Sequence, residues 1–222
     1  MEKTAQNNQS FSYFNRDLSW IDFNGRVMEE GLRKDLPLFE RFRFLSIVLT
    51  NFDEFFMVRV AAIKQALRAG LSGDPSGISP AEQLKEVSKK TRLIIRRLYA
   101  CLTEEIFPGL AEKGLELVRP DSYTVSQMDY LESFFAGQVF PVLTPLRIEE
   151  DKTLPHFDSL SINAAFLLTP ETETQEYIAM VQLPPSLGRI VWLPKEGDKL
   201  LWVMLDDIIL AWGAYLFPGY RV

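Results

Sequence analysis

Residues 44–60 read FLSIVLTNFDEFFMVRV, and their apolar positions recur at intervals of three and four: Leu45, Val48 and Leu49, then Phe52, Phe55 and Phe56. That is the period of an α-helix burying one face. The same period starts upstream at Leu18, Ile21 and Phe23 and runs into Val27, so the first half reads as amphipathic helices packed on one another. Three glycines and two prolines between Gly70 and Pro80 interrupt the pattern and predict a loop. Pro80 then opens a long helix, Ala81 to about Glu105, with Leu84, Val87, Ile94, Leu98 and Leu102 buried and Lys85, Lys89 and Arg96 elsewhere. Pro108 and Gly109 are expected to end it.

Beyond that point the period changes. Tyr123 to Phe140 reads as one more helix with Thr124 as its cap. After Pro145 the pattern shortens: Leu160 to Ala164 alternates apolar and polar, and Glu176–Leu183, Arg189–Leu193 and Leu200–Leu205 follow, separated by Pro184-Pro185 and Glu196-Gly197-Asp198. These suit antiparallel strands joined by turns. Asp206 to Phe217 reads as a closing helix ended by Pro218-Gly219. The expected fold class is α+β: a helical bundle over residues 1–108, then a mixed α+β domain with an antiparallel sheet over residues 109–222.

Composition narrows the function. A chain of 222 residues, 47% hydrophobic and 24% charged, can bury a substantial core. Its longest apolar runs fall far short of the ~20 residues of a transmembrane helix, and its start lacks a basic-then-apolar signal pattern. A cytoplasmic location is expected, with peripheral attachment at the inner membrane left open. The single cysteine, Cys101, excludes an internal disulfide and a cysteine zinc cluster. A net charge of -6 argues against general nucleic-acid binding, which rests on cations neutralising phosphates.

The sharpest chemical candidate is Asn51. Asn51-Phe52-Asp53-Glu54 fits a capping box, with Asn51 capping a helix, Glu54 bonding back, and Asp53 and Glu54 near the positive end of the helix dipole. An amide in such a place can also serve a ligand, because it has donors and an acceptor to distribute. Arg59 lies eight residues on, toward a similar side of the helix; it either meets phosphates or pairs with an acid such as Asp17 or Asp22. Lys64 and Arg68 read as a solvated face, while Arg41 and Arg43 are ambiguous. Trp20 and the phenylalanines at 14, 23, 44, 52, 55 and 56 read as an aromatic seam between helices rather than a base-stacking platform. His156, the one histidine, sits in a turn-like Leu154-Pro155-His156-Phe157 block without the orienting partner and cations that a nucleophile needs. Glu149-Glu150-Asp151 reads as a solvated acidic loop. There is no glycine-rich phosphate loop, spaced metal set or serine elbow.

Several blocks in order carry a resemblance: Phe14-Asn15-Arg16-Asp17-Leu18-Ser19-Trp20, Asp22-Phe23-Asn24, Asn51 to Val60, Pro141-Val142-Leu143-Thr144-Pro145-Leu146, Leu154-Pro155-His156 with Leu160-Ser161-Ile162-Asn163, Leu205-Asp206-Asp207-Ile208, and Leu216-Phe217-Pro218-Gly219. Together they resemble the opening of bacterial polyphosphate kinases, whose members are considerably longer. The resemblance implies an amino-terminal piece of an enzyme that transfers the terminal phosphate of ATP reversibly to polyphosphate. It places the phosphohistidine and magnesium beyond Val222, makes Asn51 an ATP contact, and implies ATP, ADP and polyphosphate as partners and a homo-oligomer. The piece alone is expected to be inactive. Two readings of other classes remain: a non-catalytic interaction module of this natural length, and a nucleotide-binding regulator.

Overall fold

The computed structural model describes residues 13–148, 155–171, 175–195 and 197–222. The Glu149-Glu150-Asp151 stretch, Leu154 and Glu196 therefore lie outside the described residues. The chain divides into two compact units, Met1–Gly109 and Leu110–Val222.

In the first unit, α1 (Arg16–Leu32) starts at Asn15, whose side chain accepts the Leu18 amide at 2.9 Å and so satisfies a donor that the helix cannot. Ile21, Met28 and Gly31 face inward, and α2 (Leu38–Phe55) packs Leu45, Val48, Phe52 and Phe55 against that side. Gly31 permits the approach: a Cβ there would come within 2.7 Å of Leu45. Helix α2 continues through a wide π-type turn, Phe56–Val60, into α3 (Ala61–Arg68). After the loop, Ser79 and Glu82 form a capping box that starts α4 (Pro80–Cys101). A second wide turn, Leu102–Ile106, leads into α5 (Phe107–Ala111). The helix thus runs past Pro108, contrary to the expected stop. In a regular helix proline clashes with the carbonyl four residues earlier, and the wide turn just before Pro108 relieves that crowding.

Arg41 is buried at the α1–α2 contact, where it donates to the Gly31 carbonyl at 3.0 Å, to Cys101 Sγ at 3.1 Å and to Glu105 at 2.7 Å. Its hydrogen bond to Glu105 draws that carboxyl below its usual range, and burial pushes the Cys101 thiol up. Arg43, by contrast, is exposed.

The second unit contains β1 (Leu115–Leu117), α6 (Val125–Phe134), β2 (Pro145–Ile148), β3 (Asn163–Pro170), β4 (Tyr177–Gln182), β5 (Ile190–Trp192), β6 (Leu200–Met204), α7 (Leu205–Trp212) and β7 (Tyr220–Arg221). Thr124 caps α6 in a box with Gln127. One sheet runs β2-β4-β3-β7, all antiparallel, and a smaller one runs β1-β6-β5, in which β1 is parallel to β6. Residues Leu131, Phe135, Phe166, Val181, Val203, Ile208 and Ile209 centre its core. Two expected boundaries move. Leu160 takes a left-handed φ of 63° in a turn, so the strand begins only at Asn163. Helix α7 ends at Trp212 and gives way to a 3-10 turn, Gly213–Leu216, where Gly213 lies so close to the Phe166 ring that a Cβ would overlap it.

Candidate functional site

Asn51 lies inside α2, one turn before its end, and the capping reading is corrected. The helix starts after Pro37, so by residue 51 the backbone amides are already bonded to carbonyls four residues back and leave nothing to cap. Asp53 and Glu54 likewise lie away from any helix start and face solvent.

The Asn51 amide is engaged instead across the helix pair. Its Nδ2 donates to Asn24 Oδ1 at 2.8 Å, and Asn24 Nδ2 donates to the Trp20 carbonyl at 3.1 Å. Asn24 is 0% exposed, and its bond to a carbonyl fixes which end of its amide carries the hydrogens. Asn51 must therefore be the donor in the pair. One N–H of Asn51 and its Oδ1 remain uncommitted among the described residues.

Asn51 lines a cavity of about 320 Å³ together with Arg16, Asp17, Trp20, Glu54, Phe55, Val58 and Arg59. An aromatic cluster builds one wall. Trp20 stacks on Phe55 at 4.6 Å with 6° between planes, and Phe52 meets both edge-on. The seam is narrower than the sequence suggests, for Phe14, Phe23 and Phe56 are exposed. The wide turn at Phe56–Val60 shifts the angular step between Asn51 and Arg59, and both reach the same cavity.

Arg59 is held by buried Asp17, to which Nε and Nη2 donate at 2.8 and 3.2 Å. The bond and charge of Asp17 raise the guanidinium's hold on its proton. Gln83 also donates to Asp17 at 2.8 Å, while Asn15 ties the start of α1 to Asp74 at 2.7 Å. Nη1 of Arg59 has no protein partner among the described residues, and neither has the Arg16 guanidinium. The cavity therefore combines an amide, an aromatic wall, two cations and the carboxylates of Asp17 and Glu54, of which Asp17 is already engaged by Arg59. Motif reading assigns no site role to Arg16, which lines the cavity, or to Asn24 and Gln83, which hold Asn51 and Asp17 from behind it. Asn24 carries a usable signal, since it falls in the buried period of Ile21 and Met28 and so calls for a polar partner.

His156 belongs to the second unit, where it is exposed beside a different cavity of about 580 Å³ that it lines with Phe157, Asp158, Asn163 and Gln182. No lysine or arginine among the described residues lines that cavity. Among the described residues no group of three His, Cys, Asp or Glu could hold a metal ion, and no helix is long and apolar enough to cross a membrane.

Two family models match the chain: the polyphosphate kinase N-terminal domain over residues 13–118 and the polyphosphate kinase middle domain over residues 126–222. A polyphosphate kinase of Bacillus anthracis is 36% identical over 221 residues, which are 97% of this chain and 32% of that protein. One from Thermosynechococcus vestitus is 39% identical over 216 residues, 95% of this chain and 30% of its own. The crystal structure of polyphosphate kinase from Porphyromonas gingivalis matches with a TM-score of 0.79 at 30% identity, covering 96% of this chain and 32% of that one. The chain spans about a third of the length of these relatives.

Proposed function

Because the chain carries the amino-terminal and middle domains of the polyphosphate kinase family and belongs to it, we propose that it supplies ATP-binding surface and subunit contact to an enzyme that moves the terminal phosphoryl group of ATP reversibly onto polyphosphate. In this reading the phosphohistidine and magnesium belong to parts of the enzyme outside these 222 residues.

The observation that carries the reading is the divided Asn51 amide. One N–H is used by Asn24, which fixes the side chain, and the other N–H with Oδ1 forms a donor–acceptor pair of the kind that reads an adenine edge. Trp20 and Phe55 border the same space and offer apolar surface to a base. Arg59, held in a two-point grip by Asp17, keeps Nη1 for an anionic oxygen, and Arg16 adds a second cation. Phosphoryl transfer depends on positioning and charge stabilisation, so a surface that orients the nucleotide contributes to rate without supplying the nucleophile.

Subunit contact has separate support. In the larger sheet, register aligns Leu146 with Met180 and Ala165, and Ile148 with Ile178 and Leu167. Leu146, Ile178 and Leu167 are about half exposed, which makes this outer sheet face an apolar surface suited to a second copy.

The test is Asn51→Asp in an enzyme of the relatives' full length. A carboxylate cannot donate, so the KM for ATP should rise by about tenfold, the lower part of the ~1–3 kcal/mol expected of a two-point amide contact. Unchanged ATP kinetics with only a lowered melting temperature would refute the ligand role.

A further inference from the structure

Cations are unevenly distributed along this acidic chain. Residues 1–109 hold 16 of the 24 lysines and arginines but 14 of the 30 acids, leaving the helical unit net positive. The excess concentrates on α4, where residues 85–97 contain six cations (Lys85, Lys89, Lys90, Arg92, Arg96 and Arg97) and the single acid Glu86.

These six split into two groups with different surroundings. Lys90 and Arg97 turn toward α1 and are bound by Asp22 at 2.5 Å and Glu29 at 2.6 Å. Lys85, Lys89, Arg92 and Arg96 recur at four, three and four residues on the side opposite buried Val87, Ile94 and Leu98. They form a stripe about 16 Å long at 1.5 Å per residue. Lys89 lies 4.0 Å from Glu86, and Arg92 and Arg96 have no acidic partner among the described residues. Self-repulsion along such a stripe is a cost that ion pairing with α1 shows the fold can remove elsewhere.

Beside the stripe, the wide turn, α3 and α4 enclose a cavity of about 360 Å³ lined by Phe56, Val60, Lys64, Leu84, Val87, Ser88, Thr91 and Arg92. Lys64 and Arg92 border it from opposite elements, and neither has an acidic partner among the described residues. Thr91, 7% exposed, contributes a buried hydroxyl without a hydrogen-bond partner. Arg68, one turn beyond Lys64, is also exposed. A cavity bordered by two free cations and two hydroxyls, opening beside a line of further cations, matches a linear anion with charge on every repeat.

We propose that α3 and α4 hold a polyphosphate chain, with Lys64, Arg92 and Ser88 receiving one segment at the cavity and Lys85, Lys89 and Arg96 carrying the rest along the stripe. The inference rests on the polyphosphate reading above for its choice of polyanion. It uses residues separate from the Asn51 cavity.

The experiment measures binding of end-labelled polyphosphate of defined length to the 222-residue chain by fluorescence anisotropy over a series of salt concentrations. All four stripe residues are exposed, so the quadruple variant K85S/K89S/R92S/R96S retains the core. It should bind at least tenfold more weakly and with a smaller salt slope, because each lost phosphate contact removes ~0.7 from the slope for a single strand. A charge-matched variant at exposed cations elsewhere, R26S/R43S/K113S/K195S, should retain the native affinity. Equal losses in the two variants would overturn the site in favour of a net-charge effect. Native affinity in the stripe variant would overturn it outright, and single-stranded DNA of equal charge binding as tightly as polyphosphate would overturn the polyphosphate assignment. Because none of these measurements uses ATP, they separate this inference from a failure of the Asn51 reading.

Discussion

Removing the Asn51 side chain should destabilise the helical unit through a residue that is left untouched. In Asn51→Ala, Asn24 Oδ1 loses its donor while remaining 0% exposed, and reversing the amide would set that oxygen against the Trp20 carbonyl it now bonds through Nδ2. A buried acceptor left without a partner costs ~1–3 kcal/mol. For a unit of this size the melting midpoint would fall by about 4–8 °C per kcal/mol. Asn24→Ala alone also loses the bond to Trp20. In the double variant Asn51→Ala adds little, because no stranded acceptor remains, so the cycle should show a coupling of ~1 kcal/mol. Trp20 is the one tryptophan in residues 1–109. With Trp192, Trp202 and Trp212 changed to Phe, its fluorescence follows unfolding of the helical unit in urea. Strict additivity of the two substitutions, or a cost for Asn51→Ala below ~0.5 kcal/mol, would refute the shared amide pair.

Other outcomes test separate parts of the structure. Burial and the neighbouring Asp206 raise the Asp207 carboxyl above its ordinary range, burial pushes Tyr123 up to about 12, and Asp207 Oδ2 has no hydrogen-bond partner among the described residues. A group whose folded pKa is raised stabilises below its unfolded pKa and loses that contribution as pH rises through the folded value. Asp207→Asn should therefore raise the melting temperature near pH 7, with an advantage that shrinks toward pH 4; an equal effect at both pH values would show that the charge is irrelevant. Residues 1–114 expressed alone should give strongly helical circular dichroism and a cooperative melt, since α5 runs to Ala111 and Gly114 takes a positive φ; a featureless melt would show that the first unit does not fold independently. The 222-residue chain incubated with labelled ATP and magnesium should acquire no acid-labile phosphate. Label that disappears on His156→Ala would make His156 a nucleophile.

What could be seen in the sequence was whatever depended on neighbours along the chain. Helical period, the Gly70–Pro80 loop and the Thr124 cap are local, and Arg59 needed an acid because an arginine near an apolar helix face rarely stands alone. The Asn51 motif misleads because Asn-x-x-Glu is a cap only where amides are free, and whether they are free depends on where the helix began. The true signal lies at Ser79-Pro80, where Ser79 and Glu82 flank Pro80 at a real helix start. Pairings between distant residues left no such trace. The Asn24–Asn51 bond joins positions 27 apart, and β1 lies parallel to β6 across more than 80 residues, so neither is written in any window of sequence. The outward Phe14, Phe23 and Phe56 show the same limit, for hydrophobicity alone does not say which side of a helix finds a neighbour.

The wide turns at Phe56–Val60, Leu102–Ile106 and Phe135–Val139 have an implication for how this chain can vary in length. A π-type turn accommodates an additional residue within an otherwise continuous α-helix. Deleting one residue there would let the backbone relax to the ordinary pitch while rotating everything downstream out of phase. At Phe56–Val60 the part that rotates includes Arg59, so a chain shortened by one residue at that turn would keep its helix and lose the alignment of Arg59 with Asp17. Length variation inside these helices is thus a change of orientation, and a single-residue gap at such a turn in an alignment of relatives would mark a rotated site rather than a trimmed loop.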